Sequence, residues 1–440
     1  MTEKRTGWRK LLKGSAIVLA VKVLGALGGL GFAYIVVQQQ GSAAFGLAEF
    51  LLTLVTVIAV LGRLGLDAAV VRFFAAFAEQ GRWAAIRLAI RWAGVRVLLA
   101  TTILGSIAWG LWSFWAAGFD ENFEQVMPWL LPASILFALA GFAAESLRGL
   151  QKMFPYALLQ PGPMMGLAAG LFLLWPGGLS AVDALGLAAC IWGVVGIVWI
   201  AIALGRLPRE AAATSDQRKP LEEIWQAARP MWLSGGLYLV MSWTDALMVG
   251  HFMTAEDLGV YRFVFRLAAL VAFSQFAINA IAAPNFGALH ASRDWDGLRT
   301  AAHRIGWLNM AFSSAVLLAV LLAAPWITAY FGQEFSSDDA WISLALLALS
   351  QWINVICSPV MYLNMTGRER VVTRIMAIFA LLNVALNLWL IPEIGMVGAA
   401  LATVVGSALW NTAAVAYIRR ADGFVLIPLL DLIRRKNAGK

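Results

Sequence analysis

Phe45-Gly46-Leu47-Ala48-Glu49-Phe50 and Leu258-Gly259-Val260-Tyr261-Arg262-Phe263 are two versions of one pattern, 213 residues apart. Each sets a glycine after a large apolar residue and a charge just before a phenylalanine. Near the same offset, Phe73 and Trp83 meet Phe286 and Trp295, Trp175-Pro176 matches Ile391-Pro392 in character, and Gly186 answers Gly398. A chain that repeats itself over half its length is built from two related halves.

Composition says what the halves are made of. Of the 440 residues, 61% are hydrophobic and 13% charged, with a mean hydropathy of +0.77. Folding in water cannot hide that much apolar surface, but a bilayer solvates it. Twelve stretches approach the roughly 20 apolar residues that a membrane helix needs: 15–37, 42–62, 93–115, 128–149, 155–175, 184–205, 230–252, 260–283, 305–330, 340–364, 371–391 and 395–418. Six fall in each half. An even number gives both halves the same orientation, so the repeat is parallel, about an axis along the membrane normal. The expected fold is an all-α integral membrane protein with about twelve transmembrane helices in two pseudosymmetric six-helix bundles.

Charge orients it. Thirty of the 33 Lys and Arg fall at the termini or in alternate gaps; Arg262 and Arg266 lie on the opposite side, and Lys22 is inside the first apolar stretch. Acids populate the far-side gaps, among them Asp120, Glu124, Asp183, Glu256, Asp257, Asp338 and Glu393. Basic loops resist translocation, so both termini are expected in the cytoplasm and the chain in the cell inner (plasma) membrane. The net charge of +8 does not point to nucleic acid, because the cations sit at helix ends and form no basic domain. Twenty Trp suit the two membrane interfaces. Cys190 and Cys357 read as small hydrophobes within apolar stretches, and His251, His290 and His303 show no metal-ligand spacing. The basic start resembles a signal peptide, but its apolar run is too long, so a retained first helix is expected.

The expected domains are therefore an N-terminal bundle over 1–205, a cytoplasmic linker over 206–229, a C-terminal bundle over 230–418, and a basic tail over 419–440. In the tail, Phe424–Ile433 is apolar but too short to span, and Arg434-Arg435-Lys436 follow it; a helix lying on the inner leaflet and an unstructured tail both fit.

Further motifs carry a family likeness. They are Leu64-Gly65-Leu66-Asp67-Ala68-Ala69-Val70-Val71-Arg72-Phe73, Thr244-Asp245-Ala246-Leu247-Met248-Val249-Gly250, and Asp257-Leu258-Gly259-Val260-Tyr261. Asn383-Val384-Ala385-Leu386-Asn387 follows, then Leu390-Ile391-Pro392, Gly395 and Val397-Gly398-Ala399-Ala400-Leu401-Ala402-Thr403. In this order, over about residues 10–420, the set resembles the polysaccharide biosynthesis membrane proteins. These are the oligosaccharide-lipid flippases of the multidrug/oligosaccharidyl-lipid/polysaccharide exporter superfamily. The resemblance implies a MATE-like pair of bundles around a central cavity. It also implies transport of an isoprenoid-pyrophosphate-linked sugar unit from the inner to the outer leaflet. The expected partners are the lipid-linked oligosaccharide and membrane lipids; binding of polysaccharide assembly enzymes is left open, and a pseudosymmetric bundle of this kind is expected to be a monomer.

Such transport needs a charged path and no covalent chemistry, so ionisable residues at membrane depth are the candidates. Lys22 lies about 12 Å along the first helix at ~1.5 Å per residue. It is a candidate for the pyrophosphate, with snorkelling to the interface as the structural alternative. Arg262 and Arg266 are one turn apart and are candidates for an outer anion site. Asp245 is placed to pair with Arg266, and Glu49 is the repeat-mate of Arg262; both are candidate gate or coupling carboxylates. The structural alternative is a set of static buried ion pairs. Glu145 and Arg148 read as a local pair, Asp67 and Arg72 as a loop constellation, and Asn279, Asn354, Asn364, Asn383 and Asn387 as interhelical hydrogen bonders. Pro161 and Pro163 should kink the fifth helix. No metal or organic cofactor is expected, and coupling to H+ or Na+ is left open. Two other functions compete with flipping: an ion-coupled small-molecule or multidrug exporter, and a membrane-bound sugar polymerase or ligase. The outer loops of about a dozen residues offer no acid/base set for the enzyme, and no Gly-Lys-Ser/Thr loop points to ATP hydrolysis.

Overall fold

A computed structural model describes residues 2–115, 121–208, 218–273, 292–356, 358–424 and 426, with 275, 278, 282, 285, 286, 289 and 290. Two compact units emerge, one of residues 1–239 with 253–259 and one of 240–252 with 260–440.

In the first unit, α1 (Thr2–Gly62) holds the first two expected spans and turns at Gly41, whose φ of 86° is open to glycine. Next come α2 (Leu66–Glu79), α3 (Trp83–Trp115), α4 (Met127–Gly149), α5 (Met153–Leu158), α6 (Pro161–Leu174) and α7 (Ala181–Gly205), then the first part of α8 (Arg218–Phe252). α3 starts well before residue 93, where the apolar run begins. Ile86, Ala89, Ile90, Ala93 and Val97 repeat at helical spacing and are buried, while Arg91 and Arg96 stay exposed. Beyond that collar α3 turns apolar outward: Leu99, Ile103, Ile107 and Phe114 are 56%, 58%, 52% and 81% exposed. A continuous apolar stripe of this kind is a surface for lipid.

Residues 218–229, expected as linker, are helical; 209–217 lie outside the described residues. The reason is amphipathic spacing. Ile224 and Ala228 are fully buried in a cluster with Leu66, Phe74, Ile86 and Ala89, and Leu221 and Trp225 pack against it. Trp225 meets Trp92 edge-on at 6.3 Å, and Trp232 Nε1 donates to Leu61 O at 2.9 Å, taking up a carbonyl at the end of α1. The fifth span does more than kink. It breaks at Leu159-Gln160 and restarts with Pro161 in the first turn of α6, where the missing N–H costs nothing.

The second unit takes the end of α8 and continues with α9 (Ala255–Ala269) from Val260. A 3-10 turn at Leu270–Ala272 follows, then α10 (Trp295–Phe331), α11 (Asp338–Val355), α12 (Pro359–Met365) and α13 (Glu369–Asp422). α13 holds the last two spans and reverses at Ile394-Gly395, where Gly395 has φ 59°. The tenth span is broken between α11 and α12. Ser358, at φ 41°, holds the break: Gln275 Nε2 and Asn309 Nδ2 donate to its Oγ at 2.9 and 3.2 Å. Side chains here occupy the polar groups that a broken membrane helix leaves behind. At the end of α13, Arg368 clasps Asp422 with two hydrogen bonds of 2.5 and 2.6 Å. Phe424 and Leu426 are 4% and 2% exposed and pack in the core of this unit with Tyr362 and Ile418. The start of the expected interfacial helix is thus buried in protein, and the rest of it lies outside the described residues.

Seven helices among the described residues are long and apolar enough to cross a membrane, and two of these are α1 and α13, which each carry two spans. The apolar half of α8 falls short in hydropathy, with Ser242, Thr244, Asp245 and His251 in it, and α6, at 14 residues, and α9, at 15, fall short in length. The protein is an all-α, multi-pass membrane protein.

Candidate functional site

The second unit places three of the expected charges on two helices. The segment 240–252 of α8 carries Asp245, and α9 carries Arg262 and Arg266. α9 is started by a reciprocal cap: Thr254 Oγ donates to Asp257 Oδ2 at 2.7 Å, and the Asp257 amide donates back to Thr254 Oγ at 3.2 Å. Asp245 is 3% exposed and Tyr261 fully buried. The Tyr261 hydroxyl donates to Asp245 Oδ2 at 2.6 Å, and the Ala246 amide donates to Oδ1 at 2.8 Å. Thr403 on α13 adjoins the same tyrosine hydroxyl. Arg262, 5% exposed, lies within electrostatic reach of Asp245. Its guanidinium is 4.8 Å from the Trp243 ring centroid and 5.3 Å from that of Phe265. A desolvated guanidinium against two rings is held by cation–π attraction as well as by charge.

The expected Asp245–Arg266 pair is not formed. Among the described residues Asp245 is satisfied by Tyr261 and by backbone, with Arg262 as its neighbouring cation. Arg266 is half-buried one turn further along α9. The sequence names Tyr261 only as part of two motifs and gives neither it nor Trp243 a role. A tyrosine next to an arginine reads as an interface anchor until the fold sets a carboxylate from another helix against it.

The first unit holds Lys22, half-buried on α1, and Glu49, fully buried on the same helix beyond Gly41. Lys22 sits within electrostatic reach of Arg148. The expected local pair exists, with Arg148 Nη2 2.8 Å from Glu145 Oε2. Asp67, however, pairs with Arg63 at 3.2 Å, while Arg72 lies over the Phe73 ring. Glu145 feels Arg63 and Asp67 as well as Arg148, so these residues make one charged collar with Tyr156, over whose ring Arg148 lies at 5.5 Å. This links Lys22 to the basic end of the first unit.

Of the amides, Asn354 does bridge helices: Trp410 Nε1 and Asn411 Nδ2 of α13 donate to its Oδ1 at 3.1 and 2.8 Å. Asn387 instead donates to Asn383 one turn away on α13, and Asn279 and Cys357 lie outside the described residues. The described residues contain no cluster of metal-ligating side chains.

The repeat that opens the sequence is visible in the first unit, which includes residues 253–259. A methyl added to Gly46 would strike the Ala255 carbonyl oxygen and crowd the Gly259 amide; one added to Gly259 would strike the Ser42 carbonyl. The repeat-related glycines thus lie backbone to backbone.

Comparison with known proteins follows this geometry. The profile of the family described as polysaccharide biosynthesis protein matches residues 11–290, and the MatE profile matches residues 230–389. A probable flippase, AglR of Haloferax volcanii, is 30% identical over 216 residues. That stretch is 47% of this chain and 44% of the relative, so the two are alike over somewhat less than half their lengths. One similar solved structure is an inward-facing multidrug resistance MATE family transporter of the MOP superfamily, with a TM-score of 0.62, 18% identity, and 92% of this chain and 94% of that one covered. The Vibrio cholerae MATE transporter VcmN gives 0.62 and 18% over 96% and 98%. A MOP superfamily transporter from Pyrococcus furiosus gives 0.59 and 16% over 94% and 95%. At such identities the likeness is one of fold, and the fold is MATE-like.

Proposed function

The chain belongs to the polysaccharide biosynthesis protein family, and from that membership we propose a flippase. It carries an isoprenoid-pyrophosphate-linked oligosaccharide from the inner to the outer leaflet of the cell's plasma membrane by alternating access, with no covalent chemistry of its own. The observation that carries this reading is the buried Arg262 on α9, set against the rings of Trp243 and Phe265 with Asp245 as its neighbouring carboxylate. A charge at membrane depth is expensive and is retained where transport needs it. Arg262 and Arg266 in the second unit, and Lys22 in the first, are the cations assigned to the pyrophosphate. Half-buried Lys22 is assigned to the inner part of the path and half-buried Arg266 to the outer anion site; Arg262 becomes available when its ring contacts and the Asp245–Tyr261 pair are rearranged. Glu49 and Asp245 are assigned to gating. The probable flippase among its relatives supports this reading.

Deleting the protein from its own cell tests it. Surface polysaccharide should be lost and lipid-linked oligosaccharide should accumulate on the cytoplasmic leaflet. Unchanged surface polysaccharide would count against flipping. A second reading, ion-coupled export of small molecules, draws on the MatE match over residues 230–389 and the buried carboxylates Glu49 and Asp245. It gains if the same deletion leaves the polysaccharide intact and slows efflux driven by an H+ or Na+ gradient.

A further inference from the structure

The first unit contains a cleft whose lining includes none of the residues assigned to transport. It has a volume of about 140 Å³ and lies where α4 and α7 end and α5 begins. Its walls are apolar, with Leu147, Trp199, Ile202 and Leu207 among them; Lys152 and Arg206 also line it, and no carboxylate does. Both cations are exposed, and among the described residues neither side chain has an ion pair or hydrogen bond. The backbone fixes where they stand. Gln151, at φ 58°, turns the chain after α4, and the Lys152 amide donates to Leu147 O at 2.8 Å. Just past the end of α7, a side chain engages two backbone carbonyl groups. Arg87 Nη2 donates to Leu207 O and Pro208 O at 2.7 and 2.8 Å, leaving Arg206 for a ligand from outside.

Depth also matches a lipid. Gly149 and Gly205 end two helices of membrane-crossing length, and Lys152 and Arg206 follow those ends, where polar head groups replace hydrocarbon around a spanning helix. Trp199 lies six residues back along α7, about 9 Å deeper at ~1.5 Å per residue. The half-exposed Phe154 meets it edge-on at 6.4 Å, which gives an apolar wall below the charges.

We propose that this cleft binds an anionic phospholipid, with the phosphate taken by Lys152 and Arg206 and an acyl chain lying along Trp199 and Ile202. Attraction of basic residues to anionic lipid near a membrane surface is ~1 kcal/mol for each charge, or about a fivefold change in affinity. The test is native mass spectrometry of the purified full chain with phosphatidylglycerol and with phosphatidylcholine of the same acyl chains. The wild type should retain phosphatidylglycerol preferentially. Lys152→Gln and Arg206→Gln should each weaken that retention about fivefold, while Arg91→Gln, an exposed cation outside the cleft, should leave it unchanged. Equal retention of the two lipids would overturn the proposal, as would equal losses in all three variants. Glycerol 3-phosphate displacing the lipid at comparable concentration would also overturn it, since a soluble phosphate would then be the occupant.

Discussion

Tyr261 and Asp245 stand sixteen residues apart and share one hydrogen bond of 2.6 Å in the second unit. Tyr261→Phe removes the donor and leaves a carboxylate oxygen without its partner in a buried place. The expected cost is about 1–3 kcal/mol, read as a lowered unfolding temperature in detergent. The double variant with Asp245→Asn should cost less than the two single changes together, because the groups act on each other. Strict additivity would place them in separate roles. Arg262→Lys keeps the charge but loses the flat face that lies against Trp243 and Phe265, so transport should fall even though the sign is preserved. The charges themselves were legible in the sequence, since an ionisable residue in an apolar run stands out. Their partners were not. Asp67 and Arg72 lie five residues apart on α2, about 140° around a helix of ~3.6 residues per turn, so they share no face, and Arg63, four residues before Asp67, takes the pair.

Helix pairs bring other forces into play. The Gly46–Gly259 approach has no room for a side chain. Gly259→Leu should therefore reduce the yield of folded protein sharply, whereas Gly31→Ala, with nothing within 4 Å of the new methyl, should leave yield and unfolding temperature intact. Similar behaviour of the two variants would contradict the close contact. For α8, Ile224→Ala should destabilise the first unit by about 2–5 kcal/mol; a change within error would restore 218–229 to the status of a linker. Twelve apolar stretches could be read from length and hydropathy because the bilayer demands both. Helix ends were harder. α3 and α8 extend beyond the apolar stretches on amphipathic turns whose charges disguise their buried faces, as at Ile86 and Ile224. The break at Ser358 carries a proline signal in Pro359, but its stabilisers, Gln275 and Asn309, come from far along the chain.

For the whole molecule, apolar stretches led to an all-α membrane fold and the family resemblance to a MATE-like one, and the likeness to solved MATE transporters agrees, because those signals are spread over the entire chain and do not depend on any one contact. What the protein carries is a matter of a few side chains, and there the account rests on α9. The most direct test is translocation of an isoprenoid-pyrophosphate-linked oligosaccharide in reconstituted vesicles, comparing the wild type with the Arg262→Ala/Arg266→Ala double variant. The account predicts substrate in the far leaflet with the wild type and none above the protein-free background with a folded double variant. Equal translocation by both, or none by a well-folded wild type across several such glycans, would contradict it.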